Sequence, residues 1–299
     1  MFSFGKKLRD FSELVAFEHT IFSASFSFMA IFVALLERHL AGSLHWLFAI
    51  KIFVLCIIAL VSARNFAMGF NRLCDRGIDS RNARTQNRPS VDGRIGLVSL
   101  VGFCVLNAVV FVGVSYFINS LAFFLSFPFL GILGFYSFMK RFSTLAHFVL
   151  GLCLGLAPIA GAVAILGSIP LWSVFLAVGV LFWVAGFDLL YSLQDMEFDK
   201  REGLFSFPAK FGVAKTLRFS RISHALAVLF WALFLWAISS DVFGMLGLAC
   251  AACMLVYEQF IVARDLSNIS KAFFITNGYL GFVFLFFMIL EVLARAFYA

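Results

Sequence analysis

The residues best suited to chemistry in this sequence are three polar side chains that close a long apolar run, Asn71, Asp75 and Asp79. Four residues advance an α-helix by about 400°, so on a helix all three lie on one side, within about 80° of one another. Carboxylates in hydrocarbon cost about 2.5–3.5 kcal/mol on insertion scales and usually line a wet, functional cavity. The pattern therefore predicts a functional acidic face.

A second copy of this spacing closes another apolar run much later in the chain, at Tyr191, Asp195 and Asp199. Magnesium bound with substrate phosphates needs only one or two carboxylates plus water, and not a cage made wholly of protein groups. Two carboxylate pairs at the water-facing ends of two membrane helices are therefore suited to a magnesium-bound diphosphate. Asp188, almost two turns before Asp195, is predicted to share its face.

The elements that must position these side chains are membrane helices. Of 299 residues, 63% are hydrophobic and only 13% are charged, which excludes a soluble globular protein. Nearly every apolar run reaches the roughly 20 residues needed to cross a bilayer. We predict an all-α polytopic fold with one domain over residues 1–299 and nine spans, at 19–36, 44–70, 95–116, 119–138, 145–166, 171–193, 219–238, 241–262 and 272–292.

The distribution of basic residues predicts the orientation of the spans. With a cytoplasmic N-terminus, 20 of the 23 Lys and Arg residues fall on the cytoplasmic side, leaving only Arg38, Lys51 and Arg295 outside. This bias places both acidic motifs at the cytoplasmic face of a cell (inner) membrane. We expect the lipid bilayer as the surrounding medium and no nucleic-acid partner.

Several cations are predicted to crowd the same end of the helices as the carboxylates. Arg can bind phosphate oxygens with two parallel donors, and Lys acts as a point charge. The alternative is that these residues only set the membrane orientation and pair with acidic neighbours. The candidates for phosphate binding are Arg64, Arg72, Arg76, Lys140 and Arg141.

The sequence resembles the UbiA superfamily of intramembrane prenyltransferases over essentially its whole length. Its details are most similar to the 4-hydroxybenzoate polyprenyltransferase branch, within the subgroup that begins with a Phe-Glu-His-Thr segment. The matching segments are Phe17-Glu18-His19-Thr20, Asn71-x-x-x-Asp75-x-x-x-Asp79 continued to Arg88-Pro89, Tyr136-x-x-x-Lys140-Arg141, and Tyr191-x-x-x-Asp195-x-x-x-Asp199-Lys200 continued to Gly212.

This resemblance implies nine helices around a central cavity that opens to the lipid. Magnesium would bind the diphosphate of a polyprenyl donor, whose loss gives an allylic cation that an electron-rich aromatic ring attacks. By motif position, one magnesium would be held by Asn71, Asp75 and Asp79, and the other by Asp195 and Asp199. The diphosphate oxygens would be bound by Arg72, Lys140, Arg141 and Lys200.

The acceptor side of the reaction has weaker sequence signals. Asp188 and Tyr191 are candidates for positioning the acceptor or taking its ring proton, and His19 for contacting the carboxylate of an aromatic acid. His147 and His224 are interpreted as packing or interface residues.

Two alternatives remain open at this stage. The same chemistry on 1,4-dihydroxy-6-naphthoate would place the protein in menaquinone synthesis instead of ubiquinone synthesis. An ion-coupled transporter would also use repeated intramembrane carboxylates. Carboxylates at the ends of helices, and few Gly or Pro breaks within the spans, argue against the transporter.

Overall fold

The computed structural model describes residues 2–15, 20–271 and 275–298, and across these residues it contains helices and turns but no strand. Helices are the natural outcome in lipid, because each satisfies its own backbone hydrogen bonds without water. The all-α fold class is thus confirmed. The α-helices are α1 (Phe2–Leu14), α2 (Thr20–Leu40), α3 (Trp46–Asp79), α4 (Leu97–Ile118), α5 (Ser120–Phe135), α6 (Ala146–Leu166), α7 (Leu171–Tyr191), α8 (Met196–Glu202), α9 (Phe207–Ala237), α10 (Val242–Arg264), α11 (Ile269–Lys271) and α12 (Asn277–Tyr298).

Eight segments of the described chain are long and apolar enough to cross a membrane, which confirms a polytopic membrane protein. The first predicted span corresponds to the 21-residue α2, which is not among these eight segments, so the predicted count of nine is approximate. Residue 19 and residues 272–274, where the first and last predicted spans begin, lie outside the described residues. The eight segments are Trp46–Asp79, Leu97–Ile118, Ser120–Arg141, Ala146–Leu166, Leu171–Glu202, Phe207–Ala237, Val242–Arg264 and Asn277–Tyr298.

Helix extends into the two longest gaps between the predicted spans, residues 71–94 and 194–218. α3 continues through the first acidic motif to Asp79, whereas the predicted span ended at residue 70. The second region contains α8 and the first turns of α9. Gly212 interrupts α9 with a φ of 77° and a ψ of 171°. Glycine adopts this left-handed φ without a Cβ penalty, and the predicted span at 219–238 begins just after this break.

The chain forms two compact units, Met1–Thr20 with Val54–Phe138, and Ile21–Phe53 with Met139–Ala299. In the first unit, Leu14 and Val15 at the end of α1 are buried against Ile95 and Leu100. The Phe11 ring stacks on the Phe103 ring, with 4.8 Å between the ring centroids. This apolar packing holds α1 beside α4, next to the chain that follows the first acidic motif.

The second unit is built around an aromatic core. Trp183 and Trp231 are completely buried, and Phe26 packs against both rings at 5.1 and 5.2 Å. Phe284 closes the cluster at 5.5 Å from Trp231. Such rings contribute about 0.5–1.5 kcal/mol per pair beyond the area they bury. The core therefore fixes α2, α7, α9 and α12 relative to one another within this unit.

Two glycines bring α6 and α7 of the second unit into close contact. A Cβ added at Gly151 would lie 2.2 Å from the carbonyl oxygen of Leu181, and one at Gly155 would lie 2.7 Å from that of Ala177. Small residues four apart allow membrane helices to approach at backbone distance. The register of α6 against α7 is therefore set by these two positions.

We expect Gly151→Ala to destabilise the protein by about 1–3 kcal/mol or more, because the added methyl group overlaps backbone that cannot move aside. The matched control is Gly131→Ala on α5, where an added Cβ has no atom within 4 Å. The thermal transition of each purified variant in one detergent is the measurement. Equal transition temperatures for the two variants would contradict the proposed close contact.

Candidate active site

The first acidic motif occupies the last nine residues of α3. The continuous helix places Asn71, Asp75 and Asp79 on one face, as the spacing predicts. The Asn71 amide donates a hydrogen bond to Oδ2 of Asp75 at 3.0 Å. Asp79 is buried, and the guanidinium of Arg88 donates to both of its carboxylate oxygens at 2.7 Å. The motif therefore pairs carboxylates with a cation that the sequence analysis did not assign.

The loop after α3 folds back on the motif. Thr85 is buried and donates its hydroxyl hydrogen to the backbone carbonyl of Asp79 at 2.9 Å. This contact and the Asp79–Arg88 ion pair close the turn. Arg72, one turn before Arg76 on α3, is half-buried, and its charge interacts with those of Asp75 and Asp79. Basic and acidic groups are thus interleaved at this end of the first unit.

Arg64 has a different environment from the one predicted. Its guanidinium donates to the backbone carbonyl of Val15 at 2.9 Å, just after α1. This bond ties α1 to α3 about two turns before Arg72. Arg64 is therefore at least a structural anchor of the first unit, and its predicted role in substrate binding stays a prediction.

Arg94 links α1 to the loop that follows the first motif. It donates to the two carboxylate oxygens of Glu13 at 2.6 and 2.8 Å, to Asp92 at 2.7 Å and to the carbonyl of Asn87 at 2.8 Å. The hydrogen bonds from Arg94 lower the pKa of Glu13 below its usual range. This ion-pair cluster ties the loop to α1.

The lowered pKa of Glu13 predicts a pH dependence of α1. Its stabilising contribution is present above the unfolded-state pKa of about 4.3 and is lost as the pH falls through the lower folded-state value. We expect Arg94→Gln to raise the opening rate of α1 at pH 7 by less than about fivefold, because exposed ion pairs contribute little. Hydrogen exchange of the α1 amides, corrected for intrinsic rates, measures this. Arg201→Gln is the control. Equal exchange rates of the α1 amides in the two variants would contradict the proposed stabilisation of α1 by Arg94.

The second acidic motif differs from its prediction. α7 ends at Tyr191, a 3₁₀ turn covers Ser192–Asp195, and α8 begins at Met196. A 3₁₀ turn advances by about 120° per residue instead of 100°, so the spacing of four no longer places the three motif residues on one continuous helix face. Tyr191 packs beside a buried cluster that includes Leu190 and Val262. The prediction of a single α-helical face was therefore wrong for this motif.

Both carboxylates of the second motif are buried. Asp195 is 8% exposed and Asp199 is 2% exposed. Among the described residues, Oδ2 of Asp199 has no hydrogen-bond partner. Gly203 ends α8 with a φ of 67°, a left-handed conformation that lets the chain turn immediately after the motif. A buried carboxylate oxygen without a partner is the kind of group that a bound cation would satisfy.

Lys140 is fixed to the segment that follows the second motif. The backbone N–H of Phe205 donates to the carbonyl of Lys140 at 2.8 Å, and that of Leu204 donates to the carbonyl of Asp199 at 2.9 Å. The Lys140 side chain is half-buried, and its charge acts on the Asp199 carboxylate. The second unit therefore also combines an acidic motif with an adjacent cation.

The other two predicted phosphate-binding cations are less enclosed. Lys200 is exposed, and its ammonium donates to Glu197 at 3.0 Å, one turn back on α8. Arg141 is exposed at the end of the 3₁₀ helix Tyr136–Arg141. Both are accessible to a large anion, but the structure holds neither in a buried setting.

Asp188 pairs with a histidine that the sequence analysis interpreted as packing. Nδ1 of His147 lies 2.6 Å from Oδ2 of Asp188, across the α6–α7 contact. His147 is completely buried, and its Nε2 has no hydrogen-bond partner in the described part of the chain. The two residues are 41 positions apart, so the pairing has no local sequence signal.

The donor set in each unit fits a divalent metal shared with a substrate. Residues 2–15, 20–271 and 275–298 contain no ready-made group of three or more His, Cys, Asp or Glu side chains. Magnesium accepts one or two carboxylates and completes its coordination with water and phosphate oxygens. Among the described carboxylates, Asp199 has a buried oxygen without a hydrogen-bond partner, and Asp75 accepts a hydrogen bond from Asn71. His19 lies outside the described residues.

Comparison with known proteins identifies the family. The model of the UbiA prenyltransferase family matches residues 26–288. The chain belongs to the UbiA prenyltransferase family. This membership makes the protein a prenyltransferase, and it argues against the ion-coupled transporter considered above.

Relatives and solved structures of the UbiA family cover most of the chain. The 4-hydroxybenzoate octaprenyltransferase of Haemophilus ducreyi is 28% identical over 235 residues, which are 78% of this chain and 83% of the relative. That of Polynucleobacter necessarius is 30% identical over 250 residues, covering 80% and 85%. The apo structure of a UbiA homolog from Aeropyrum pernix K1 has a TM-score of 0.80 at 31% identity, covering 92% of this chain and 98% of that one.

A more distant structure shares the fold. A UbiA homolog from Archaeoglobus fulgidus, bound to GPP and Mg²⁺, has a TM-score of 0.64 at 17% identity and covers 95% of this chain and 99% of that one. The fold of this multi-pass membrane protein is therefore that of the UbiA family along nearly the whole chain.

Proposed function

We propose that this protein transfers a polyprenyl chain from polyprenyl diphosphate to the ring of 4-hydroxybenzoate, with Mg²⁺ as the metal, in ubiquinone synthesis. The observation that carries the proposal is the pair of acidic motifs, each with a cation beside it, in a chain of the UbiA prenyltransferase family. The choice of acceptor is supported by relatives named 4-hydroxybenzoate octaprenyltransferase that align with about four-fifths of the chain.

The donor is held through its diphosphate. In this proposal Asn71, Asp75 and Asp79 serve one magnesium, and Asp195 with Asp199 serve the other. Bound magnesium would neutralise the charge that develops on the leaving diphosphate. The cations assigned to the diphosphate oxygens are Arg64, Arg72, Lys140, Arg141 and Lys200.

The reaction itself breaks the allylic C1–O bond, whose electron pair leaves with the diphosphate. The ring carbon beside the acceptor hydroxyl then forms a bond to C1, and its proton is removed to restore aromaticity. Asp188 and Tyr191 are assigned to hold the acceptor or remove this proton. His19 is assigned to the acceptor carboxylate on the basis of the sequence alone. An apolar surrounding excludes water, which would otherwise capture the cation.

The proposed location is the cell (inner) membrane with the N-terminus and both motifs in the cytoplasm. The positive-inside distribution of 23 Lys and Arg residues supports this orientation. Cytoplasmic placement gives the motifs access to soluble magnesium and to a soluble aromatic acid. Product and donor, both lipids, are expected to exchange with the bilayer.

The deciding experiment gives the purified protein a polyprenyl diphosphate with 4-hydroxybenzoate or 1,4-dihydroxy-6-naphthoate in separate reactions, and identifies products by mass. We expect a prenylated product with 4-hydroxybenzoate that requires Mg²⁺. A product with the naphthoate alone would overturn the acceptor and assign the protein to menaquinone synthesis. No product with either acid would refute the proposed function.

A further inference from the structure

The function proposed so far assigns a role to Asp188 but none to His147, which pairs with it. The His147 ring is completely buried, whereas the Asp188 side chain is 18% exposed. Nδ1 of His147 lies 2.6 Å from Oδ2 of Asp188, and in the tautomer that carries the proton on Nδ1 the ring donates to this oxygen. One end of the pair is thus anchored in protein, and the other reaches accessible space.

Helix packing fixes the geometry of this pair. His147, Gly151 and Gly155 follow one another at intervals of four residues on α6, so they share the face that contacts α7. The two glycines contact the backbone of α7 at Leu181 and Ala177, one and two turns along α6 from the histidine. The ring therefore cannot slide along α7 without breaking these close contacts.

His224 provides a useful contrast within the same unit. It is also a buried histidine, at 3% exposure, but its Nδ1 lies 3.0 Å from the amide nitrogen of Gln259. Gln259 in turn donates to Ser220, and Ser220 donates to the carbonyl of Gly186. That network contains no carboxylate. The partner of His147, by contrast, is a partly accessible carboxylate seven residues before Asp195.

We propose that His147 is a positioning residue that orients the Asp188 carboxylate to remove the proton from the acceptor ring. This inference rests on the proposed function and deepens it. The C–H bond of the newly prenylated ring carbon breaks, its electron pair returns to the ring, and its proton passes to the free side of the Asp188 carboxylate. The Nδ1–H of His147 holds the other oxygen, so the carboxylate does not rotate away from the ring.

The test compares His147→Leu with His147→Asn, because the Asn amide can still donate from nearly the position of Nδ1. Loss of the donor is expected to lower kcat by about tenfold and to make proton removal limit the rate. A 4-hydroxybenzoate deuterated beside its hydroxyl would then react about twofold or more slowly than the normal acid, as expected when proton transfer limits the rate. The Asn variant is expected to retain more activity with a smaller isotope effect, and KM for the donor is expected to stay unchanged in both.

The control is His224→Leu, which removes an equally buried ring without touching Asp188. It is expected to lower thermal stability without introducing an isotope effect. If His147→Leu does not fold, the His147→Asn variant decides by the same comparison with the wild type. A slower variant without any increase in the isotope effect would overturn the proposal and reduce His147 to a packing residue.

Failure of the proposed function gives a different result from failure of this inference. If the wild type prenylates only the naphthoate, the acceptor assignment fails, and the isotope comparison is repeated on that ring. If the wild type produces no prenylated ring, both proposals are refuted. If the wild type is active and the His147 variants match its rate and isotope effect, only the positioning role is refuted.

Discussion

Asp75→Asn and Asp195→Asn are each expected to abolish magnesium-dependent prenyl transfer, lowering kcat by about 100- to 1,000-fold or more. Asn preserves the shape of the side chain but removes the charge that binds a divalent cation. Both carboxylates belong to motifs in which neighbouring polar groups are already arranged, such as the Asn71 amide beside Asp75. The measurement is product formation at saturating donor and acceptor across a range of Mg²⁺ concentrations.

The matched control is Asp241→Asn, which changes an exposed aspartate at the start of α10. It is expected to leave activity and magnesium dependence unchanged. Retention of the thermal transition in both motif variants separates loss of metal binding from loss of folding. Full activity of Asp75→Asn or Asp195→Asn would exclude that carboxylate from metal binding, and full activity of both would refute the two-motif site.

Much of the fold follows from the sequence because lipid leaves the chain few choices. Apolar runs of about 20 residues must form helices in a bilayer, so the long helices were predictable, although α3 continues past its predicted end and α9 begins well before its predicted start. The helical spacing of Asn71, Asp75 and Asp79 was also predictable, since α3 continues through them without a break. Local periodicity is sufficient where one regular element carries the whole motif.

The second motif shows where periodicity fails. The spacing of Tyr191, Asp195 and Asp199 equals that of the first motif, but a 3₁₀ turn separates α7 from α8. A spacing of four specifies a shared face only if the helix is continuous. No Pro or Gly occurs between Tyr191 and Asp199 to signal the change, so the break was not predictable from the residues alone.

Contacts between side chains distant in the sequence are the other feature that could not be predicted from it. His147 and Asp188 belong to separate helices, and their contact depends on the backbone approach at Gly151. Arg88 is only nine residues from its partner Asp79. The loop between them is not a regular helix or strand, so no periodicity predicts that their side chains meet. His147 and Arg88 could be read from the sequence as residue types, but only the tertiary structure shows that each pairs with a carboxylate.

Lys140→Met is expected to lower kcat/KM for the polyprenyl donor by about 10- to 100-fold, because a buried charge-assisted hydrogen bond contributes about 1.5–3 kcal/mol. Lys140 is half-buried, its backbone carbonyl is bonded to Phe205, and its charge acts on Asp199. The backbone of Lys140 is therefore fixed, and its charge lies close enough to act on the second motif before the donor binds. A preorganised cation stabilises a leaving diphosphate more than a mobile one, because the enzyme need not reorganise as charge develops.

Lys200→Met is the comparison variant for this prediction, because Lys200 is assigned to the same diphosphate but, unlike Lys140, is exposed. Lys200 is exposed and pairs with Glu197 within one turn of α8, so water and that carboxylate already screen its charge. We expect its removal to change kcat/KM by less than about threefold. Initial rates at varied donor concentration, with the aromatic acid saturating, compare the two variants directly. Equal losses would mean that general positive charge attracts the diphosphate, whereas a loss confined to Lys140→Met requires a cation held at one place beside the second motif.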